Sequence, residues 1–272
     1  ITGGSSGIGL ELARQAAAAG ARVSLIARDP AKLALARAAV GGMTFSAVAD
    51  VAVEAHVTEA IRAAVGDRVD LLFGTHGQFT TPGAIRMGRE LEPYNPLWYE
   101  EPIPPDNLLE FAEVARQVRI PLATGERLTT KYEFFKLLQA GGASILQMNV
   151  ARCGGLLEAK KIASMAEAYY AQIAPHLYNG PIGAAASFQL ATCTPNFLIQ
   201  ESIMTWGGFH AEVLTKPLQW EDGYIIPSTE PGLGVELNMD VVRKHTPYTG
   251  ERLHLQMAAT PADVKDTSPA KG

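Results

Sequence analysis

Trp98-Tyr99-Glu100-Glu101-Pro102, Ala123-Thr124-Gly125-Glu126-Arg127, Gln147-Met148-Asn149-Val150, Ile173-Ala174-Pro175-His176 and Phe197-Leu198-Ile199-Gln200-Glu201 decide the fold. In each stretch a short strand-like run delivers a polar side chain at or just after its end. Those residues, Glu100, Glu126, Asn149, His176 and Glu201, are separated by 26, 23, 27 and 25 positions. Such an interval is one βα unit, so a parallel sheet closing in sequence order brings all five side chains to one rim, where barrel enzymes place their chemistry. No single glutamate carries this reading; the phasing does.

Outward from these five positions, strand-like and helix-like patterns alternate. Strands are predicted near Val23–Ile26, Met43–Val48, Val69–Phe73, Leu97–Glu100, Pro121–Thr124, Ser144–Met148, Gln172–Pro175 and Phe197–Gln200. Between them, Asp106–Val118 places Leu108, Phe111, Ala115 and Val118 on one helical face, and Gly155–Tyr169 does the same with Ala159, Ile162, Ala166 and Tyr169. Repeated βα units imply parallel strands. Beyond Glu201 the run Trp220-Glu221-Asp222-Gly223-Tyr224-Ile225-Ile226 and the turn Pro231-Gly232-Leu233-Gly234 suggest short cap strands, and residues 257–272 read as a disordered tail.

Composition narrows the function classes. A chain of 272 residues, 47% hydrophobic and 19% charged, belongs to a soluble globular class, and no apolar run approaches the roughly 18 residues of a membrane span. A formal charge of −5 offers no basic stripe for nucleic acid or an anionic membrane surface, which leaves a small molecule as the expected partner. Cys153 and Cys193 have no metal-like spacing and fit a reducing cytoplasm, where both are expected to be inert.

The chain opens on Thr2-Gly3-Gly4-Ser5-Ser6-Gly7-Ile8-Gly9 before an Ala-rich helix. Glycines so spaced let a dinucleotide pyrophosphate approach the helix N-terminus, whose free N–H groups favour anions. This segment resembles the short-chain dehydrogenase/reductase family, whose glycine turn matches Gly3, Gly7 and Gly9. By that resemblance Arg28 would meet the 2′-phosphate of NADP and Asp50 would lie by the adenine. The strand that precedes the glycine turn in that family is expected to be missing, as in a fragment. The family's Asn-Asn-Ala-Gly turn is replaced by Gly74-Thr75-His76-Gly77, and Tyr132 and Lys136, which have the spacing of its catalytic pair, read as an ordinary helix face.

From about residue 75 the quoted stretches, with Ala151-Arg152-Cys153-Gly154-Gly155, resemble the mandelate racemase subgroup of the enolase superfamily. Within it they are most like the acid-sugar branch of galactarolactone cycloisomerases and sugar-acid dehydratases. The resemblance implies an isomerase or lyase in which Mg²⁺ on three carboxylates stabilises the enediolate formed when the proton α to a carboxylate is removed. It makes Glu100 and Glu126 metal ligands, His176 the acid or base and Glu201 a partner of the substrate carboxylate. Arg127 would add charge nearby, Asn149 would orient the imidazole where the family often has Asp, and Glu101 would be a structural neighbour. His210, His245 and His254 read as surface residues. Gly74 stands one βα unit before Glu100, where the first metal-binding Asp belongs, so one ligand is missing. The family's Lys-x-Lys base and capping domain are also without counterpart in residues 1–73.

The expected architecture is therefore α/β. A truncated Rossmann-like nucleotide-binding fragment spans 1–74, an enolase-type partial (βα)8 barrel with cap strands spans 75–256, and a disordered tail follows. Eight predicted strands also allow the two parts to merge into one barrel-like domain. Three functions follow: α-proton abstraction from a sugar acid or lactone, impaired by truncation; NADP-dependent oxidoreduction; or an inactive chimeric fusion. Apolar faces left uncovered by the absent units favour a homo-oligomer.

Overall fold

A computed structural model describes residues 7–18, 23–27, 29–41, 44–48, 54–202 and 206–245. The chain divides into two compact units, Ile1–Ile203 and Met204–Gly272.

In the first unit, α1 (Gly7–Ala18), β1 (Val23–Ala27), α2 (Pro30–Val40), β2 (Thr44–Val48) and α3 (Glu54–Val65) come first. Five more strands follow, β3 (Leu72–Gly74), β4 (Trp98–Glu100), β5 (Leu122–Thr124), β6 (Ile145–Leu146) and β7 (Gln172–Ile173). They alternate with α4 (Thr81–Leu91), α5 (Leu108–Gln117), α6 (Lys131–Ala140) and α7 (Leu156–Ala168), and α8 (Pro181–Thr192) comes last. β3 to β7 form one parallel sheet in strict sequence order, the pattern of a barrel wall.

Both faces of the central strands β4 to β6 are buried, as is usual in parallel sheets, while β3 is partly exposed. Alternation along each strand sends Tyr99, Leu122, Leu146 and Ile173 into the large core with Phe111, Phe134, Leu137 and Ile162. The neighbouring residues Trp98, Ala123, Ile145 and Ala174 form a second, smaller cluster. Trp98 and Glu100 differ by two positions and share the second face. That parity delivers the polar strand ends away from the helical layer.

Local signals account for the helix ends. Thr130 and Glu133 form a reciprocal capping box at the start of α6, which ends on Gly141 in the left-handed region at φ 70°. Asn107 caps α5 by accepting from the Leu109 N–H, and Asp29 caps α2 by accepting from Ala31 and Lys32. Each such cap contributes about 1 kcal/mol.

The predicted strands recur with shifted or shortened bounds, and Phe197–Gln200 reduces to a single parallel bridge from Ile173 to Phe197. β1 and β2 pair as a separate two-stranded parallel sheet, so among the described residues the eight strands do not close on one another. Nor does that pair show the order reversal that marks a doubly wound sheet, and a Rossmann arrangement is not seen among the described residues. Gly3, Arg28 and Asp50 lie outside the described residues, while Gly7 and Gly9 begin α1. Tyr132 is 68% exposed on α6, the ordinary helix face expected of it. Among the described residues no helix is long and apolar enough to cross a membrane.

The second unit contains α9 (Phe209–Glu212), the hairpin of β8 (Gln219–Glu221) and β9 (Tyr224–Ile226), and α10 (Met239–Lys244). Asp222 and Gly223 both take positive φ, 49° and 83°, as a two-residue hairpin turn demands. β8 and β9 fall within the stretch where short strands were expected. His210 and His245 are exposed; His254 and the 257–272 tail lie outside the described residues.

Cys153 is 3% exposed, and burial pushes its thiol up to about 11, whereas Cys193 is exposed. A thiol-exchange reagent at pH 8 should titrate one cysteine in the native protein and two in denaturant, since the thiolate is the reactive form. Two fast-reacting native thiols would contradict the burial.

Candidate active site

Register places the strand ends side by side. Gly74 pairs with Glu100, and Glu100 with Ala123, so the carboxylate of Glu100 stands next to position 74. A Cβ built on Gly74 would meet Glu100 Oε1 at 3.7 Å, an ordinary van der Waals contact. Glu100 Oε2 accepts from Trp98 Nε1 at 3.0 Å and from Gln147 Nε2 at 2.6 Å. Burial raises the carboxyl of Glu100 above its usual range, and the carboxylates of Glu126 and Glu201 raise it further.

Glu126 follows Gly125, whose φ of 139° and lack of Cβ bring the chain close to Phe134 and the Gln147 backbone. A Cβ there would stand 3.0 Å from the Gln147 nitrogen, so this turn depends on glycine. The delivered carboxylate lies between two imidazoles: Oε1 is 3.3 Å from His76 Nδ1, and Oε2 is 3.4 Å from His176 Nε2. Glu201 Oε2 stands 4.0 Å from the same His176 nitrogen and accepts from the Leu177 N–H at 2.6 Å.

Asn149 sets the orientation of His176. Its Oδ1 accepts the backbone N–H groups of Ala151 at 2.9 Å and Arg152 at 3.3 Å, which fixes the amide. Nδ2 therefore faces His176 Nδ1 at 2.9 Å and also donates to Asn179 Oδ1. A donor opposite Nδ1 makes that nitrogen the acceptor, and the ring proton goes to Nε2, toward Glu126 and Glu201. A carboxylate at 149 would impose the opposite tautomer.

Glu101, read from sequence as a structural neighbour, is fully buried beside the site. In a regular strand it would point away from Glu100, but its φ of 39° breaks the alternation. Its Oε2 lies 2.9 Å from Arg127 Nε and 2.7 Å from Nη2, while Oε1 accepts from Thr124 Oγ1. His76, in the left-handed region at φ 51°, brings Nδ1 to 3.8 Å from Glu101 Oε2. Sequence reasoning left out His76 and set Glu101 aside as a structural neighbour; both reach the site through positive φ values. All five phased residues thus reach one rim, and Arg127 adds its positive charge there.

A Mg²⁺ on three strand-end carboxylates finds only two of them here. Position 74 has no side chain, and Oε2 of Glu100 is already engaged by two N–H donors. The three-carboxylate set is not rebuilt by the described residues.

Two outcomes test this geometry. In ¹⁵N spectra of the imidazoles, His176 should show the Nε2–H tautomer, and N149D should convert it to Nδ1–H; an Nδ1–H ring in the unaltered protein would contradict the assigned amide orientation. For Glu100, the folded state holds its proton at higher pH than the unfolded chain, so its ionisation weakens folding as pH rises above about 4.5. E100Q should therefore melt higher than the parent at pH 7, with the advantage fading below pH 4.5; a lower melting temperature at pH 7 would refute the sign.

A family model described as enolase C-terminal domain-like matches residues 10–241, beginning just after the glycine turn and running across Gly74. A protein from Burkholderia SAR-1 classed provisionally as a mandelate racemase/muconate lactonizing enzyme is 58% identical over 95% of this chain and 62% of its own, with a TM-score of 0.74. The mandelate racemase/muconate lactonizing enzyme from Sulfitobacter sp. is 45% identical over 93% and 62%, with a TM-score of 0.71. A protein from Salmonella enterica classed provisionally as a dehydratase is 28% identical over 88% and 61%, with a TM-score of 0.68. The chain spans about three fifths of the length of these proteins. With the sequence-ordered parallel sheet and the rim of phased polar residues, these matches show that the chain belongs to the enolase superfamily, in its C-terminal-domain-like family.

Proposed function

We propose that the site moves the proton α to a carboxylate in a sugar acid or its lactone, in the manner of a cycloisomerase, dehydratase or racemase, at a reduced rate. The observation that carries this reading is the His176 imidazole, locked by Asn149 with Nε2 turned to the rim between Glu126 and Glu201. Family membership supports the reaction class, and the Salmonella relative's provisional name supports the dehydratase outcome.

In this reading His176 takes the α-proton at Nε2 in the minor form of the ring whose own proton sits on Nδ1, and returns it to the substrate from the same atom, with the ring held by the Asn149 amide. Glu201, pinned by the Leu177 N–H, lies beside that nitrogen and receives the substrate's carboxylate end when protonated. Arg127 neutralises Glu101 and keeps that buried carboxylate from repelling an anionic substrate. The rate is reduced because Gly74 withholds the carboxylate that its relatives' resemblance calls for, and because an Nε2–H imidazole donates more readily than it accepts.

The test is loss of the α-proton from a panel of sugar acids and lactones in D₂O with Mg²⁺, followed by NMR. Slow exchange is expected. H176A should lower it by about 10² to 10⁴-fold, the usual cost of a lost general acid or base, and G74D should raise it. No exchange on any substrate, in the parent and in G74D alike, would end this reading.

A further inference from the structure

The geometry points to a divalent-cation site displaced from the three-carboxylate position and built from His76 Nδ1, Glu101 Oε2 and Glu126 Oε1, with a preference for transition ions over Mg²⁺. These three donor atoms lie within 4.8 Å of one another. The two imidazole separations, 3.3 and 3.8 Å, bracket the roughly 3.4 Å expected between donors on an ion with bonds near 2.1 Å. The donors come from the loops after three consecutive strands, β3, β4 and β5, so one ion would tie adjacent strand ends together.

The carboxylates are prepared for this in different ways. Glu126 has its other oxygen facing His176, which holds a proton on Nε2 and so serves as an outer partner and not as a ligand. Glu101 is fully buried with Oε2 paired to Arg127 through Nε at 2.9 Å and Nη2 at 2.7 Å, so an ion would share that oxygen with the guanidinium. His76 is 69% exposed in its side chain, so an ion has open access from solvent. An imidazole with two carboxylates suits Zn²⁺, Co²⁺, Fe²⁺ or Mn²⁺, whereas Mg²⁺ prefers oxygen donors throughout. Glu100 is not among the three residues whose donor atoms converge within 4.8 Å.

The experiment uses the whole chain, stripped with a chelator and titrated with Co²⁺, with the ligand-field absorbance as readout and no substrate present. One equivalent should bind with the intense visible bands of a low-symmetry site, and a hundredfold excess of Mg²⁺ should not displace it. H76A, at an exposed position where circular dichroism should confirm an intact fold, should weaken binding at least tenfold, and E101Q should do likewise. Absence of Co²⁺ binding, or binding untouched by H76A, would overturn the proposal. So would binding lost in E100Q but kept in H76A and E101Q, which places the ion on the other side of the rim. Because the readout needs no turnover, a failure here leaves the proton-transfer reading standing, and a silent substrate panel leaves the cation site standing.

Discussion

The constraint on which the rest depends is the in-register parallel pairing of β3 to β7. Parallel neighbours keep their side-chain alternation in phase across the sheet, so one choice of face propagates from strand to strand. Once Tyr99, Leu122, Leu146 and Ile173 are committed to the helical core, Trp98, Ala123 and Ile145 must take the opposite face, and so must the polar residues two positions on from Trp98 and Ile145. Glu100 and Gln147 meet for this reason: they continue the face that Trp98 and Ile145 begin. Hydrophobic burial on one side of the sheet thus fixes the position of chemistry on the other.

Breaks in the alternation matter as much as the rule. Glu101 turns back toward the site because its backbone adopts a positive φ immediately after β4, and Gly125 performs a comparable turn after β5. Both residues sit at strand ends, where the sheet no longer dictates direction. The sheet supplies a coarse placement at the spacing of neighbouring strands, and the strained turns supply the last few ångströms. A buried carboxylate such as Glu101 persists there through its pairing with Arg127.

Much of this was legible in the sequence. Phasing alone predicted that Glu100, Glu126, Asn149, His176 and Glu201 share a rim, because strand-helix units of similar length return the chain to equivalent points. The buried faces of α5 and α7 followed from helical periodicity, except that Tyr169, the last member of its predicted face, lies past the end of α7 and is 45% exposed. His76 and Glu101 were not legible as site members, since their placement rests on φ values of 51° and 39° that no local pattern announces in a residue with a Cβ. The eight-strand merger that strand counting allowed is not seen among the described residues. Strand counting says nothing of pairing, and β2 and β3 belong to different sheets. The glycine turn shows the limit of a short motif: its spacing fits a dinucleotide family, while the family match takes in most of the segment that follows it.

Glu126 faces two imidazoles through its two oxygens, one on each side. A carboxylate shared in this way is a mechanical and electrostatic link. Charge drawn toward His76 reduces what the other oxygen offers His176, and a substrate that recruits the His176 proton alters what Glu126 offers in the opposite direction. Any ligand on the His76 side and any on the His176 side would then be thermodynamically coupled through this one side chain, with equal and reciprocal effects on each other's affinity. The separation between the two nitrogens is spanned by a single carboxyl group, so communication across this rim requires no movement of the sheet.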